Sequence, residues 1–524
     1  MKSSVVLVSL MAATLTALTA CGGGGAGAGG GGGSTPVAVI PPTTITCTAP
    51  AVLTNGVCVT PTPTVSVQLN KSKTAVGSPV TLSWSSTNAT ICVGMDALSG
   101  TKAINNSEVI TPSKGGQYTY TISCDGAGGT SSRSAMLIVP MEVFKTSYEN
   151  KNSIPFDKTQ IQSFRLLGIA TDSDEMWENP RDMTFGDFFQ EGEYSAFVVS
   201  VRHRNIYGVA GLPDYPGKAY FLSLDKNGKW IDRTTELLKT TAERNVCVSA
   251  SFSLTADLNN DGKPDIYVAC HGLDYDLPNA TPSTKQQINL EHQVLFLSQS
   301  DGSYKRIDVP FNIYGHQAAI GDINGDGFMD VITTNSADFI GMDIKPFVLL
   351  GRGDGTFTRD NTIVPANIYD FTGNTDGIYG MQLIPIEGRL DAIIGGGNTV
   401  WLKGNGKGGF SVESAVVFTP LISNQTNRKF MFPFDVIFRD GYFYLSQLSQ
   451  YDAPSQEIVL KIDSKSLNQN IIYSNSVPFI NDFRVGSEQY KPTSDGYLVP
   501  IQGSCPNFDD PLFSKSVCGI RIKM

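Results

Sequence analysis

From residue 64 onward, apolar and polar positions alternate with the period of two that a half-buried strand requires. Val65-Ser66-Val67-Gln68-Leu69, Val80-Thr81-Leu82-Ser83-Trp84, Tyr118-Thr119-Tyr120-Thr121-Ile122 and Met136-Leu137-Ile138-Val139 are such runs, parted by Gly, Ser and Asn turns. This spacing predicts an antiparallel β-sandwich over residues 64–140. Further along, the pattern becomes short apolar strands, each followed by a Gly turn and, two residues later, an aromatic. Tyr220-Phe221-Leu222 leads to Asn227-Gly228-Lys229-Trp230, and Leu295-Phe296-Leu297 leads to Asp301-Gly302-Ser303-Tyr304. Val348-Leu349-Leu350 leads to Asp354-Gly355-Thr356-Phe357, and Val400-Trp401-Leu402 to Lys407-Gly408-Gly409-Phe410. With 53 Gly, 28 Pro and only 17% charged residues in 524, the composition suits a turn-rich all-β chain of several domains.

Between these units lies a second kind of hairpin. Asp257, Asn259, Asp261 and Asp265 occupy positions 1, 3, 5 and 9 of one loop, and Asp322, Asn324, Asp326 and Asp330 the same positions of another, with Gly262 and Gly327 at position 6. A hard divalent cation takes six to eight oxygens, and Asp/Asn side chains around a tight Gly turn supply several on one concave face. The position-7 carbonyls, those of Lys263 and Phe328, add another. Three carboxylates in one loop repel one another without a cation, which points to Ca2+ over a bare Asx turn. An EF-hand would need a Glu at position 12, where Val268 and Thr333 stand, and helices where the flanks read as strands. Each ion therefore staples a β-hairpin.

One acid hairpin plus one Gly-aromatic hairpin makes a four-stranded blade, and the repeat distances of 65 residues for the acid loops and 53 for the aromatics fit a propeller. On these loops and strands the chain resembles the FG-GAP/VCBS repeat family, calcium-loop β-propellers that include the head of integrin α subunits, over roughly residues 180–524. The fold expected is all-β: a six- or seven-bladed calcium-loop β-propeller over residues 141–524, preceded by an Ig-like β-sandwich. Degenerate loops extend the ring. Asp187 and Glu191 keep positions 1 and 5 of one, with Phe189 and Ser195 at positions 3 and 9, and near 382–392 only Asp391 survives. The last strand, Gly519 to Ile522, is expected to pair near Met141 to Phe144 and so remove exposed edges.

The sandwich segment resembles a bacterial Ig-like module. Trp84 precedes Cys92, so the Cys92 and Cys124 pair is not expected in the inter-sheet position of antibody domains. A spacer role is expected for it.

At the N-terminus, Met1-Lys2 and the apolar run Val5 to Leu18 read as a signal peptide over residues 1–20. Leu18-Thr19-Ala20-Cys21 resembles a bacterial lipobox, which implies cleavage before Cys21 and its acylation. Multiple acyl chains anchor firmly. Gly22 replaces the Asp that retains such lipoproteins at the inner membrane, so outer-membrane attachment is expected, on the periplasmic or surface face of the cell envelope. Residues 21–63 form a Gly-rich tether and a short stalk. The other eight cysteines fall into close pairs, Cys47 with Cys58, Cys92 with Cys124, Cys247 with Cys270 and Cys505 with Cys518. Four disulfides would suit an exported chain, although spacing does not settle connectivity, and with no C-x-x-C the rival zinc reading is weaker.

A net charge of −10 without a Lys/Arg cluster argues against a nucleic-acid partner. No G-x-S-x-G elbow, Walker loop or zinc-protease helix occurs, and no catalytic residue is assigned. Arg352-Gly353-Asp354 is ordinary turn chemistry. His203, His271 and His316 fall at strand ends opposite the acid turns, where a ring would gather them at one mouth as a candidate ligand site. The resembling family includes adhesion heads and lectins, which implies a protein or glycan ligand. A carbohydrate-acting enzyme using the His-bearing mouth and a non-catalytic envelope scaffold are the other two readings.

Overall fold

The computed structural model describes residues 44–149, 176–204, 216–228, 230–248, 250–270, 290–334, 345–372, 378, 380–396, 398–418, 430–450, 455–477, 490–492, 496–500 and 522–524. The chain divides into two compact units, Met1–Pro61 and Thr62–Met524. Cys21, its signal peptide and the Gly-rich tether lie outside the described residues, as do Cys505 and Cys518. No helix among the described residues is long and apolar enough to cross a membrane.

In the first unit, Val52–Thr54 pairs with Val57–Val59 across the Asn55-Gly56 turn, where both residues take positive φ (49° and 78°). That left-handed pair suits a two-residue hairpin and explains Asn-Gly there. A disulfide joins Cys47 to Cys58.

The second unit begins with two facing sheets. Thr64–Leu69, Val80–Thr87 and Asn106–Ile110 form one; Gly100–Lys102, Ile91–Asp96, Gly116–Gly126 and Gly129–Val139 form the other. The inward residues of the alternating runs, among them Leu82, Trp84, Tyr120, Ile122 and Leu137, make their shared core. Cys92 and Cys124 are directly opposed partners on neighbouring strands of one sheet, and their disulfide ties those strands rather than the two sheets.

Residues 176–477 then form five successive four-stranded antiparallel sheets, each built from consecutive strands. They begin with Met176–Gly186, Ala250–Ala256, Ala318–Gly321, Gly380–Ile386 and Phe430–Arg439. A sixth sheet of three described strands, Tyr490–Pro492, Tyr497–Pro500 and Ile522–Lys523, follows. Separate apolar clusters fill the gaps between neighbours: Phe197, Phe221 and Phe296 lie between the first and second sheets, Tyr267, Leu295 and Phe347 between the second and third, and Trp401, Phe418 and Phe443 between the fourth and fifth. These strands are buried on both faces, so they read as near-continuous apolar runs rather than clean alternation. Polar clasps join the first strands. Ser253 donates its amide (2.6 Å) and hydroxyl (2.9 Å) to the buried Asp182 carboxylate, Thr184 bonds Thr255 at 2.9 Å, and the Met381 amide donates to Gln317 Oε1 at 2.8 Å.

Of the expected terminal strand, Gly519 to Arg521 lie outside the described residues; Ile522 and Lys523 pair with Leu498 and Tyr497, and among the described residues no pairing with Met141 to Phe144 occurs. Ile522 and Leu498 are buried against Ile437, Tyr444 and Val459 of the fifth sheet, so the chain end completes its neighbour by burial of its own apolar side chain.

Candidate functional site

The two complete acid loops connect the first and second strands of the second and third sheets, and their backbones match. Asn260 and Gly262 in one, and Gly325 and Gly327 in the other, take φ of 58°, 79°, 78° and 90° at positions 4 and 6. This turn brings loop amides onto the position-1 carboxylate. Asp261 N–H and Gly262 N–H donate to Asp257 at 3.0 and 2.8 Å, and Gly325, Asp326 and Gly327 N–H donate to Asp322 at 2.7, 3.1 and 3.0 Å. Asn259 and Asn324 turn their amide oxygens inward to accept from Asp261 N–H and Asp326 N–H. Burial pushes the Asp257 carboxyl above its ordinary value, loop amides oppose that, and the Asp261 charge adds to it.

The position-9 residues do a different job. Asp265 and Asp330 are fully buried. Asp265 accepts Leu258, Asn259 and Ser298 N–H at 2.8, 3.1 and 2.7 Å; Asp330 accepts Ile323, Asn324 and Gly351 N–H at 2.8, 3.2 and 2.9 Å. Each carboxylate thus ties its loop to the third strand of its sheet. Burial raises Asp265 to about 7 and Asp330 to about 6, against those amide bonds. The other oxygens of the ligand set expected from the sequence, besides Asp265 and Asp330, are those of Asp257, Asn259, Asp261 and the Lys263 carbonyl, and of Asp322, Asn324, Asp326 and the Phe328 carbonyl. Among the described residues no group of three or more His, Cys, Asp or Glu is placed so that it could hold a metal ion.

The degenerate loops hold their acid residues by other contacts. In the first sheet, Asp187 accepts Glu191 and Gly192 N–H at 2.8 and 2.9 Å and also Met141 N–H at 2.9 Å. Glu191 at position 5 receives a two-pronged Arg233 guanidinium at 2.8 and 2.9 Å, which lies over the Phe189 ring. Ser195, at position 9, accepts Phe188 N–H through its hydroxyl. In the fourth sheet the loop has shrunk to the two-residue turn Glu387-Gly388, with φ of 51° and 78°. There Arg389 donates to buried Asp391 at 2.8 and 3.2 Å, and Trp401 Nε1–H and Gly404 N–H complete its shell at 2.9 Å each. Sequence reading found Asp187, Glu191 and Asp391 but missed both arginines. Arg389 stood two residues from Asp391, whereas Arg233 lies 42 residues from Glu191 and only the fold brings it near.

The proposed histidine mouth is described only in part. His203 lies on Ser195–Arg204, opposite Trp177 in register, with its side chain outside the described residues, as is all of His271. His316 is half-buried, its ring edge-on to Tyr314 at 4.8 Å, and its N–H donates to Thr334 Oγ1 at 3.0 Å. Cys247 and Cys270 form a disulfide at the same end of the second sheet.

The FG-GAP repeat family matches residues 314–343, the stretch that carries the second acid loop. Among solved structures, the rhamnogalacturonan lyase YesW is similar at 14% identity, covering 78% of this chain and 68% of that one with a TM-score of 0.32. Bacillus licheniformis rhamnogalacturonan lyase PL11 is similar at 13% identity over 77% and 68%, TM-score 0.32. A quinonprotein alcohol dehydrogenase-like protein from Bacteroides thetaiotaomicron is similar at 10% identity over 79% and 98%, TM-score 0.25. No curated protein matches the chain. Likeness of this degree assigns no activity. The successive four-stranded sheets and the FG-GAP match make this an all-β repeat protein of the β-propeller type.

Proposed function

We propose that the chain is a lipid-anchored protein of the cell envelope in which an Ig-like spacer carries a calcium-stabilised, six-bladed propeller that binds a protein or glycan. The reading of calcium rests on charge balance across the loops. Where the acid positions are incomplete, Arg233 and Arg389 supply the positive charge. Where they are complete, the described donors to Asp322 and Asp326 are loop amides and the Asn324 side chain, while in the other loop Lys263 pairs with Asp261 at 3.6 Å and offsets part of its charge. The oxygen donor set fits a hard cation, which when bound would neutralise the clustered carboxylates. Asp257, Asn259 and Asp261, and their counterparts Asp322, Asn324 and Asp326, would hold it.

Ring closure would place the sixth sheet against the far face of the first, where Met183, Phe185, Tyr220 and Trp230 are buried. Recognition is assigned to the end opposite the acid loops. There the connections from second to third strand run from Arg204 to Ala219, Cys270 to Glu291 and Thr333 to Phe347, whereas the acid-end turns are short. The test is a glycan and protein-partner array probed with the full chain, with and without chelator, followed by His316→Ala. Specific capture that His316→Ala weakens in a folded protein is expected; capture unchanged by His316→Ala and by changes throughout that end would refute the assignment.

A further inference from the structure

We propose that residues 141–149 are an internal ligand of the repeat: a strut lodged where the first strands converge, which joins the first, third and fifth sheets and closes the axis at the acid-loop end. Met141 N–H donates to Asp187 at the end of the first sheet's leading strand, and the Phe144 ring stacks on Tyr194 of the same loop at 5.8 Å. Thr146 bridges to Gly321 of the third sheet, where Ser147 Oγ accepts Ile320 N–H at 2.9 Å. The Tyr148 hydroxyl then accepts Phe438 N–H at 2.6 Å and donates to Phe438 O at 2.9 Å on the leading strand of the fifth sheet, while its ring packs in the core between the fourth and fifth sheets. Thr146, Ser147 and Tyr148 are all buried.

Five residues, 144 to 148, reach at most about 17 Å even when extended. To touch three alternate sheets over that distance, the leading strands must curve around the segment. The local conformation is held by neighbours in sequence: Thr146 Oγ1 accepts Glu149 N–H at 3.0 Å, and Glu149 Oε2 accepts Lys145 N–H at 3.1 Å. The sandwich is seated on the same first-sheet loop that Met141 holds through Asp187. Gln117 donates to Glu191 O at 3.0 Å, and a Cβ at Gly192 would lie 2.7 Å from Gly116 O, so only glycine lets the two backbones approach there. An axial ligand would therefore enter from the opposite end, and the sandwich does not swivel freely on the repeat.

Two experiments test this on the full chain. A protease site inserted between residues 160 and 161 is cut and the product run on size exclusion. The sandwich piece is expected to stay with the propeller, or the propeller to unfold when the two part; a sandwich piece that leaves a propeller with unchanged melting overturns the proposal. In Tyr148→Phe, loss of two hydrogen bonds is expected to speed amide exchange about 10- to 30-fold at Phe438, and also at Ile320 and Met141, because the strut leaves as a unit. Acceleration confined to Phe438 would overturn it.

Discussion

Replacing Arg389 by Met removes the positive charge from a carboxylate that has no solvent to turn to. Asp391 is fully buried; Arg389 is about one quarter exposed (26%) and also reaches the exposed Glu387 at 3.0 Å. Removing one partner of a wholly buried pair costs about 3–5 kcal/mol and an exposed pair is worth about 0–1 kcal/mol. The remaining bonds from Trp401 and Gly404 lessen the penalty, so we expect about 2–3 kcal/mol at neutral pH. Arg389→Met combined with Asp391→Asn should recover most of it, because no buried charge is left. The assay is urea unfolding followed by tryptophan emission, to which Trp401 reports directly through its bond to Asp391. A single variant within about 0.5 kcal/mol of the parent, or a double variant no better than the single, would refute the idea that this guanidinium stands in for a cation.

The other expectations are briefer. Asp261→Ala with Asp326→Ala should abolish the rise in melting temperature on adding calcium, which at about 10 mM and an affinity of about 10⁻⁴–10⁻³ M corresponds to about 1.4–2.7 kcal/mol per site; calorimetry with and without chelator checks this. Cys247→Ser with Cys270→Ser releases a crosslink spanning 23 residues and should cost about 3 kcal/mol in denaturant unfolding. At Gly408 φ is 85°, and a Cβ would meet Asn324 Cα at 2.8 Å across neighbouring sheets. Gly408→Ala should lose at least about 1–2 kcal/mol from backbone strain alone and weaken the calcium response of the second loop, measured by the same melts.

Local rules carry far in this chain because strand alternation, Gly turns and acid spacing are properties of a few neighbouring residues. Leu82, Trp84 and Ile122 face the sandwich core as their period of two demands, the Asn55-Gly56 turn takes the left-handed pair, and both acid loops adopt one backbone because Asp, Asn and Gly recur at the same places. At position 9 the pattern names Asp265 and Asp330 by residue type, and the fold adds that both are buried and accept amides of the loop and the third strand. What neutralises Glu191, what the Tyr148 hydroxyl holds and where the last strand pairs were decided only when distant segments met. Arg233, Phe438 and Leu498 become partners through the curvature and order of the sheets. Periodicity specifies which side of a strand is apolar; which charge or amide stands opposite a given carboxylate depends on approach across sheets, and that information is held by the packed fold.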